Sequence, residues 1–359
     1  MAYGLLRSFL LASGLLTSVA LVLGGASGCN DDGSYLAPDK TSSTTSGTAS
    51  GGGSGGEGGA GGAGGDEVPV EPPGPPVLTV VNGVNDHDAI KLCLLTYPGD
   101  GVGVPPWPSN AAGLGFARGA VVTSLESLVP PGSDLQMHVV AGDLAATAGR
   151  DCAQILGLAA GGQGPVFAAA LPVVPASALA AERSLLLVPA GCMGAPGQTD
   201  PAEALGCGPF YTETTPTLTL VAAPMSRLTV SDRVSYQVVH ANAALTRVDV
   251  RLGARPSDPV GWLVASGLTF GAVKPFPPTS TLSAADVEPE AEIRVHHPNQ
   301  TSNPLSTVAM SEVRTRSGLG STDVGNGKAV VLVAVGAAPG VPAGPFWHAL
   351  TYALIPADP

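Results

Sequence analysis

The chain has 359 residues, a formal net charge of −12 and only 12% charged residues. This acidic balance provides no bulk electrostatic attraction to nucleic acid or to anionic lipid. Its 49 glycines and 34 prolines are typical of short strands joined by many turns, and they argue against a helical bundle.

The first 28 residues have the three zones of a secretory signal. Arg7 precedes an apolar run over residues 9–23, and small residues fill positions 24–28. We expect residues 1–28 to be a signal peptide that is removed on export. The uncharged stretch 8–28 is also long enough to span a bilayer, so an uncleaved anchor helix is the alternative.

The signal ends in Ala26-Ser27-Gly28-Cys29, which resembles the lipobox of bacterial lipoproteins. The resemblance implies cleavage before Cys29 and acylation of that cysteine. Ala26 departs from the family pattern, in which leucine is usual. Several acyl chains on one residue give stable anchoring without a spanning helix. We therefore expect a lipid anchor in the cell envelope, with the chain on the periplasmic or surface side of the outer membrane.

Residues 29–76 have the composition of a disordered tether. They hold seven acidic residues and one lysine, and residues 41–65 are almost entirely Ser, Thr, Gly and Ala. Such a segment has no apolar surface to offset the entropy of ordering. A G-x-S-x-G match at residues 52–56 has no strand or helix around it, so we do not interpret it as a nucleophile elbow.

Six short segments of the remaining chain occur twice, in the same order, which indicates an internal duplication. The offsets between partners drift from 158 to 136 residues, as loops of different length would produce. We predict a first repeat over 77–225 and a second over 226–359. The paired segments are 78–82 with 236–240, 89–94 with 247–252, 112–116 with 266–270, 135–139 with 291–295, 185–188 with 330–333, and 208–211 with 344–347.

The duplicated segments have the patterns of β-strands. Val248, Val250 and Leu252 alternate with charged residues, as in a half-buried strand. Residues 329–335 form a continuous apolar run, which is typical of a central strand or of one edge of a sandwich core. Residues 348–355 are a candidate for a strand that closes the second sheet. Helical content should be small, and the best candidates are 149–158 and 177–183, both short and both in the first repeat. The sequence therefore predicts an all-β fold of two tandem immunoglobulin- or transthyretin-like sandwiches.

The second repeat resembles the DUF4397 family of extracytoplasmic bacterial domains. The resemblance lies in residues 238–250, 266–270 and 330–336. Family members usually have Ser-Pro-Asp after the His-Ala pair, where this chain has Asn242-Ala243-Ala244. The first repeat departs further, because Asn82-Gly83 replaces His-Ala. The resemblance implies a fold and a compartment but no activity.

Four cysteines remain besides Cys29, and all four lie in the first repeat. An even number in an exported chain predicts disulfides, for which three pairings are possible. We favour Cys93–Cys152 together with Cys192–Cys207, because the second pair would close a Gly- and Pro-rich loop. A metal site is the alternative, but the chain has no CxxC and no histidine close to these cysteines in the sequence.

The polar candidates for a functional site are few. Asp86-His87-Asp88 could bind a cation or supply a base, but these are also ordinary turn residues between two strands. His240 aligns with Asn82, so we expect a buried, hydrogen-bonded structural residue. His296 and His297 are expected in a solvated loop, and the sequon at Asn299 is expected to carry no glycan.

No Ser-His-Asp order or phosphate-binding loop can be identified, so we expect no catalytic residues, no metal and no cofactor. The favoured hypothesis is a non-catalytic, membrane-tethered module for adhesion or ligand binding, with a protein or glycan ligand and no nucleic acid. An envelope scaffold and a secreted hydrolase are the alternatives. An adhesin should expose an apolar patch, for example near Trp107 or Trp262, whereas an enzyme should show a pocket with converging His and carboxylate groups.

Overall fold

A computed structural model describes residues 77–357 except for 124, 163, 180–183, 195–205, 209, 213–214, 256, 259, 275–280, 321 and 342–346. The signal peptide, Cys29 and the tether lie outside the described residues. All described residues belong to one compact unit. Among them, no helix is long and apolar enough to cross a bilayer.

The first repeat is a sandwich of two sheets. Its outer sheet has the order β4-β3-β6-β7, and its inner sheet has the order β2-β8-β1-β5, with β9 also paired to β8. The strands are β1 (Leu78–Val81), β2 (Gly83–Val84), β3 (Ala89–Tyr97), β4 (Leu114–Gly115), β5 (Gly119–Val121), β6 (Asp134–Gly142), β7 (Val166–Ala170), β8 (Ser184–Gly191) and β9 (Thr219–Met225).

The second repeat has the same arrangement. Its inner sheet has the order β13-β10-β17-β18, with β14 also paired to β10, and its outer sheet has the order β12-β11-β15-β16. The strands are β10 (Val234–His240), β11 (Arg247–Ala254), β12 (Trp262–Thr269), β13 (Val273–Lys274), β14 (Thr281–Leu282), β15 (Glu292–His296), β16 (Ser306–Ala309), β17 (Lys328–Val335) and β18 (Thr351–Pro356). The all-β sandwich prediction is confirmed.

The residues that the sequence pairs between the repeats occupy matching positions in the ladders. In the inner sheets Val80 lies beside Leu187, and the corresponding Val238 lies beside Leu332, both in parallel pairs. In the outer sheets, Cys93 lies opposite His138 and the corresponding Arg251 lies opposite Arg294. The repeats therefore differ in the lengths of their loops, which explains the drifting offsets, while the strand pairing is the same in both.

The two inner sheets pack face to face and form a third core between the repeats. Gly83 and Gly119 allow this close approach of the sheets. A Cβ on Gly83 would lie 3.0 Å from Val335 of the second repeat, and a Cβ on Gly119 would lie 2.3 Å from Ile355. The core comprises Val81, Phe116, Ala117, Leu186, Val188, Ala190, Val221, Ala223, Met225, Val239, Ala241, Ala329, Val331, Val333, Val335, Ala353, Ile355 and Ala357.

This four-layer arrangement explains the apolar run of β17. Val330 and Leu332 point into the core within the second repeat, whereas Val331 and Val333 point into the core between the repeats. A strand buried on both faces has no polar face to display. As predicted, β17 is a central strand, and β18 closes the sheet beside it.

Short helices complete the described fold, and two of the four α-helices whose bounds lie within the described residues were not predicted. The helices are α1 (Leu125–Leu128), α2 (Cys152–Ala160), α3 (Ala176–Leu179) and α4 (Met310–Ser317). α2 and α3 fall on the two predicted helices. Both of the best helix candidates lie in the first repeat, whereas α4 lies in the second. Glu312 in its first turn and Gly318 as a left-handed C-cap are helix signals that the sequence offered.

Candidate functional site

Asp86 is a buried structural residue rather than a surface turn residue. Its side chain accepts hydrogen bonds from the backbone N–H groups of Met193 (3.0 Å) and Gly194 (2.8 Å). Burial raises the pKa of Asp86, while His87 and the backbone N–H groups act in the opposite direction. Both carboxylate oxygens of Asp86 therefore accept hydrogen bonds from the backbone that follows β8.

His87 and Asp88 lie on the same loop, which contacts the second repeat. The Oδ1 of Asp88 lies 3.2 Å from the Nε2 of His348, whose ring stacks on Phe116 with centroids 4.0 Å apart. The loop also accepts the backbone N–H of His348 at Asn85. We call residues 85–88 the junction loop, because they join the disulfide end of the first repeat to the segment before β18.

Sequence reasoning did not identify His348 as a partner of the junction loop. His348 was expected only as the first residue of the closing strand 348–355, directly after the duplicated segment 344–347, and residues 344–346 lie outside the described residues. Burial lowers the pKa of His348, and Asp88 acts in the opposite direction. Because the Asp88 side chain is 98% exposed, its contact with the half-buried His348 is open to solvent on the Asp88 side.

His240 is buried, with 0% exposure, and its Nδ1 accepts a hydrogen bond from the N–H of Asn242 at 3.2 Å. Burial lowers its pKa to about 4, so the imidazole is neutral at pH 7. These contacts are those of a structural residue. Within the described part of the chain, no group of three or more His, Cys, Asp or Glu side chains could hold a metal ion.

The prediction for His296 was wrong, whereas His297 is exposed as expected. His296 is the last residue of β15 and is only 1% exposed. Both of its ring nitrogens are buried without a hydrogen-bond partner. Burial lowers its pKa, and the neighbouring Arg251 and Arg294 lower it further, against an opposing effect of Asp249.

The favoured cysteine pairing is confirmed. Cys93 is bonded to Cys152 and Cys192 to Cys207. The first disulfide pins α2 onto the outer face of the first repeat's outer sheet, where Ile155 packs with Cys93 and Val140. Disulfides of this kind are typical of oxidising, extracytoplasmic compartments.

The same face of the second repeat has a different surface. A row of side chains crosses all four strands of its outer sheet, because Leu263, Arg251, Arg294 and Thr307 are successive ladder partners. They point away from the core, since Val250 and Val295 on the same strands point into it. We call these four residues the arginine row. Arg251 and Arg294 occupy the positions of Cys93 and His138.

The arginine row ends in an apolar cluster at the edge of the sheet, and Leu263 belongs to both. Val260, Trp262 and Leu263 are 46%, 62% and 46% exposed. We call these three residues the edge patch. Trp262 thus lies in an exposed patch of the kind expected for a binding module, whereas Trp107 is half-buried against the core of the first repeat.

Two cavities lie between the repeats. One of about 530 Å³ is lined by Arg118 of the first repeat and by α4 residues including Glu312 and Arg316, which are ion-paired to each other. The other, of about 370 Å³, is mostly apolar and includes Phe210 and Phe270. Neither brings together a histidine and a carboxylate.

No protein-family model matches the chain, and no curated protein matches it. Among solved structures, a protein from Bacteroides eggerthii described as a candidate cell adhesion protein aligns with 81% of this chain and 97% of its own length. The identity is 12% and the TM-score 0.17. A similarity this low supports no inference about fold or function.

Proposed function

We propose that this chain is an exported, lipid-anchored envelope protein that binds a partner at the outer sheet of its second repeat and catalyses no reaction. The export-signal pattern that ends at Cys29 supports the anchor, and the two disulfides support an oxidising compartment. The duplicated sandwich and the resemblance to DUF4397 domains are consistent with an extracytoplasmic role.

The observation that carries the binding function is the edge patch on β12. Among the described residues this strand pairs only with β11, and its eight residues include no charged side chain. Edge strands of monomeric proteins are usually protected by charge, proline or shortness. Clustered exposed apolar side chains mark interaction sites. The corresponding edge strand in the first repeat, β4, has only two residues.

The hydrolase alternative has less support. It would use the Asp86-His87-Asp88 loop, in which the Asp86 carboxylate already accepts hydrogen bonds from two backbone N–H groups. Asp88 faces His348 in a contact between the repeats. The scaffold alternative differs from the proposal only in its partner, which would be a second copy of the chain.

The binding proposal is tested with purified residues 29–359 on an array of immobilised glycans and matrix proteins. We expect the wild-type protein to bind at least one class, and the Trp262→Ala/Leu263→Ala variant to lose tenfold or more in affinity. Val102→Ala, another exposed apolar residue at 68% exposure, is the matched control and should bind normally. Equal binding by both variants contradicts the proposal, and self-association lost on mutation of the edge patch would establish the scaffold instead.

The anchor is tested separately in cells. We expect metabolic labelling with a fatty-acid analogue to tag the wild-type chain and to miss a Cys29→Ser variant. Protease shaving of intact cells then shows which side of the outer membrane displays the sandwiches. An unlabelled wild-type chain contradicts the lipoprotein assignment.

A further inference from the structure

We infer that the arginine row recognises the carboxylates of an acidic polysaccharide. This inference rests on the proposed binding function of the same sheet and adds the chemical class of the ligand. It depends on four observations: the pairing of two arginines, a shortage of counter-charge, an unsatisfied buried histidine, and the contrast with the first repeat.

Arg251 and Arg294 lie directly opposite each other on adjacent antiparallel strands. Side chains in such positions have Cβ atoms about 4.5–5.5 Å apart, and like charges placed there destabilise the sheet. The arrangement therefore carries a cost in the free protein. An anion bound between the two guanidinium groups would remove that cost.

The nearby carboxylates do not neutralise both arginines. Glu292 pairs with Arg294, with its Oε2 2.6 Å from the arginine Nη2. Asp249 instead accepts hydrogen bonds from the backbone N–H groups of Gly267 (2.6 Å) and Asn299 (2.8 Å). Arg251 donates to the carbonyl of Gly261 at 3.3 Å, and its Nε is buried without a partner.

His296 supplies an independent observation. It lies opposite Asp249 in the ladder that also pairs the two arginines, and both of its ring nitrogens are buried and unsatisfied. Buried polar atoms are almost always hydrogen-bonded in native proteins. An unsatisfied imidazole and an unsatisfied guanidinium nitrogen in one cluster indicate a missing acceptor.

The first repeat shows what the same position looks like when it is purely structural. Cys93 replaces Arg251 there, is completely buried, and is bonded to α2. In the described part of the second repeat, α4 contributes Met310 and Val313 to the core between the sheets and so does not form such a cover. The second repeat thus has two partly exposed arginines where the first repeat has a buried cysteine and a histidine.

The shape and surroundings of the row favour a saccharide. Guanidinium groups bind carboxylates in a bidentate manner, and Leu263, which is 46% exposed at the end of the row, offers an apolar contact to the C–H groups of a sugar ring. A protein partner typically requires about 800 Å² of contact surface on each side, whereas the edge patch is limited to three apolar residues. We therefore expect a polymer of uronic acids to bind along the row.

The test measures binding of residues 29–359 to polygalacturonate, poly-L-glutamate and dextran by isothermal titration calorimetry. We expect polygalacturonate to bind, dextran not to bind, and the affinity for polygalacturonate to fall at least tenfold in Arg251→Gln. Arg251→Lys should lose nearly as much, because lysine cannot bind a carboxylate in a bidentate manner. Arg118→Gln is the matched control, since Arg118 is an exposed arginine of the cavity between the repeats.

The outcomes separate this inference from the proposed function. If Arg251→Gln binds polygalacturonate like the wild type, or if Arg118→Gln loses as much affinity, the arginine row is not the site. Equal or tighter binding of poly-L-glutamate would overturn the saccharide class. If polygalacturonate does not bind while the edge-patch variant still loses a partner found on the array, the inference fails and the proposed function stands. Thermal unfolding of each variant verifies that the fold is intact.

Discussion

Asn82 and His240 make the same hydrogen bond at corresponding ends of β1 and β10. The Oδ1 of Asn82 accepts the N–H of Val84 at 2.9 Å, and the Nδ1 of His240 accepts the N–H of Asn242 at 3.2 Å. In both cases the acceptor belongs to a buried side chain and the donor lies two residues further along the chain. A histidine has thus taken over a structural role that an amide fills in the first repeat.

Replacing His240 with Asn should make the protein more resistant to acid. The pKa of His240 is lowered to about 4 in the fold, whereas an unfolded histidine titrates near 6.5. Between these values the unfolded chain takes up a proton that the folded chain does not, so the wild type loses stability as the pH falls from 6.5 towards 4. We expect a loss of about 2 kcal/mol at pH 5 relative to pH 7, which is absent in His240→Asn.

Urea unfolding at several pH values measures this effect. His297→Asn is the matched control, because His297 is exposed on the same repeat and should leave the pH dependence unchanged. An unchanged slope in His240→Asn would show that another group causes the loss of stability in acid.

Removing the Asp86 carboxylate should destabilise the protein far more than removing that of Asp88. Asp86→Ala leaves the N–H groups of Met193 and Gly194 buried without an acceptor, at a cost of about 1–3 kcal/mol for each. The Asp88 side chain is 98% exposed, and exposed ion pairs contribute about 0–1 kcal/mol. Chemical denaturation of both variants checks the difference, and similar losses would contradict the assigned role of Asp86.

Loss of the Cys192–Cys207 bond should lower the free energy of unfolding by about 3 kcal/mol on the chain-entropy model, because the bond closes a loop of 15 residues. The Cys93–Cys152 bond closes 59 residues and should contribute about 4 kcal/mol. Double alanine variants compared by denaturation test this order. Mass mapping without reductant should find no free thiol among the four cysteines, and labelling of two or more thiols would contradict the pairing.

Variants at Gly119 and Ile355, which contact each other across the two inner sheets, test whether the repeats pack directly and unfold together. A Cβ at Gly119 would lie 2.3 Å from the Cδ1 of Ile355, so Gly119→Ala should cost about 1–3 kcal/mol through overpacking. Adding Ile355→Val removes that Cδ1 and should recover part of the loss. Gly157→Ala in α2 meets nothing within 4 Å and should instead stabilise by about 0.5–1 kcal/mol.

Additive losses in the Gly119→Ala/Ile355→Val double variant would contradict direct packing between the repeats. A single cooperative transition, monitored by hydrogen exchange on both β8 and β17, is expected for the wild type.

The sequence alone determined the features that depend on local pattern. The alternation in β11 and the apolar run of β17 follow from the faces that each strand buries, and these patterns predicted the strands and the sandwich fold. The duplicated order of segments predicted that Val80 corresponds to Val238 and Leu187 to Leu332. The ladders agree with this, because Val80 lies beside Leu187 and Val238 lies beside Leu332. The disulfide pairing followed from the export signal and from cysteine spacing.

Only the tertiary structure decided which surfaces cover one another. His296 and Asp86 look like loop residues in the sequence, but their burial depends on segments distant along the chain. The close approach of the inner sheets depends on Gly83 and Gly119, which are ordinary turn residues by composition. Arg251 and Arg294 are 43 positions apart in the sequence. They become neighbours only because the register of the antiparallel pair β11–β15 places them directly opposite each other.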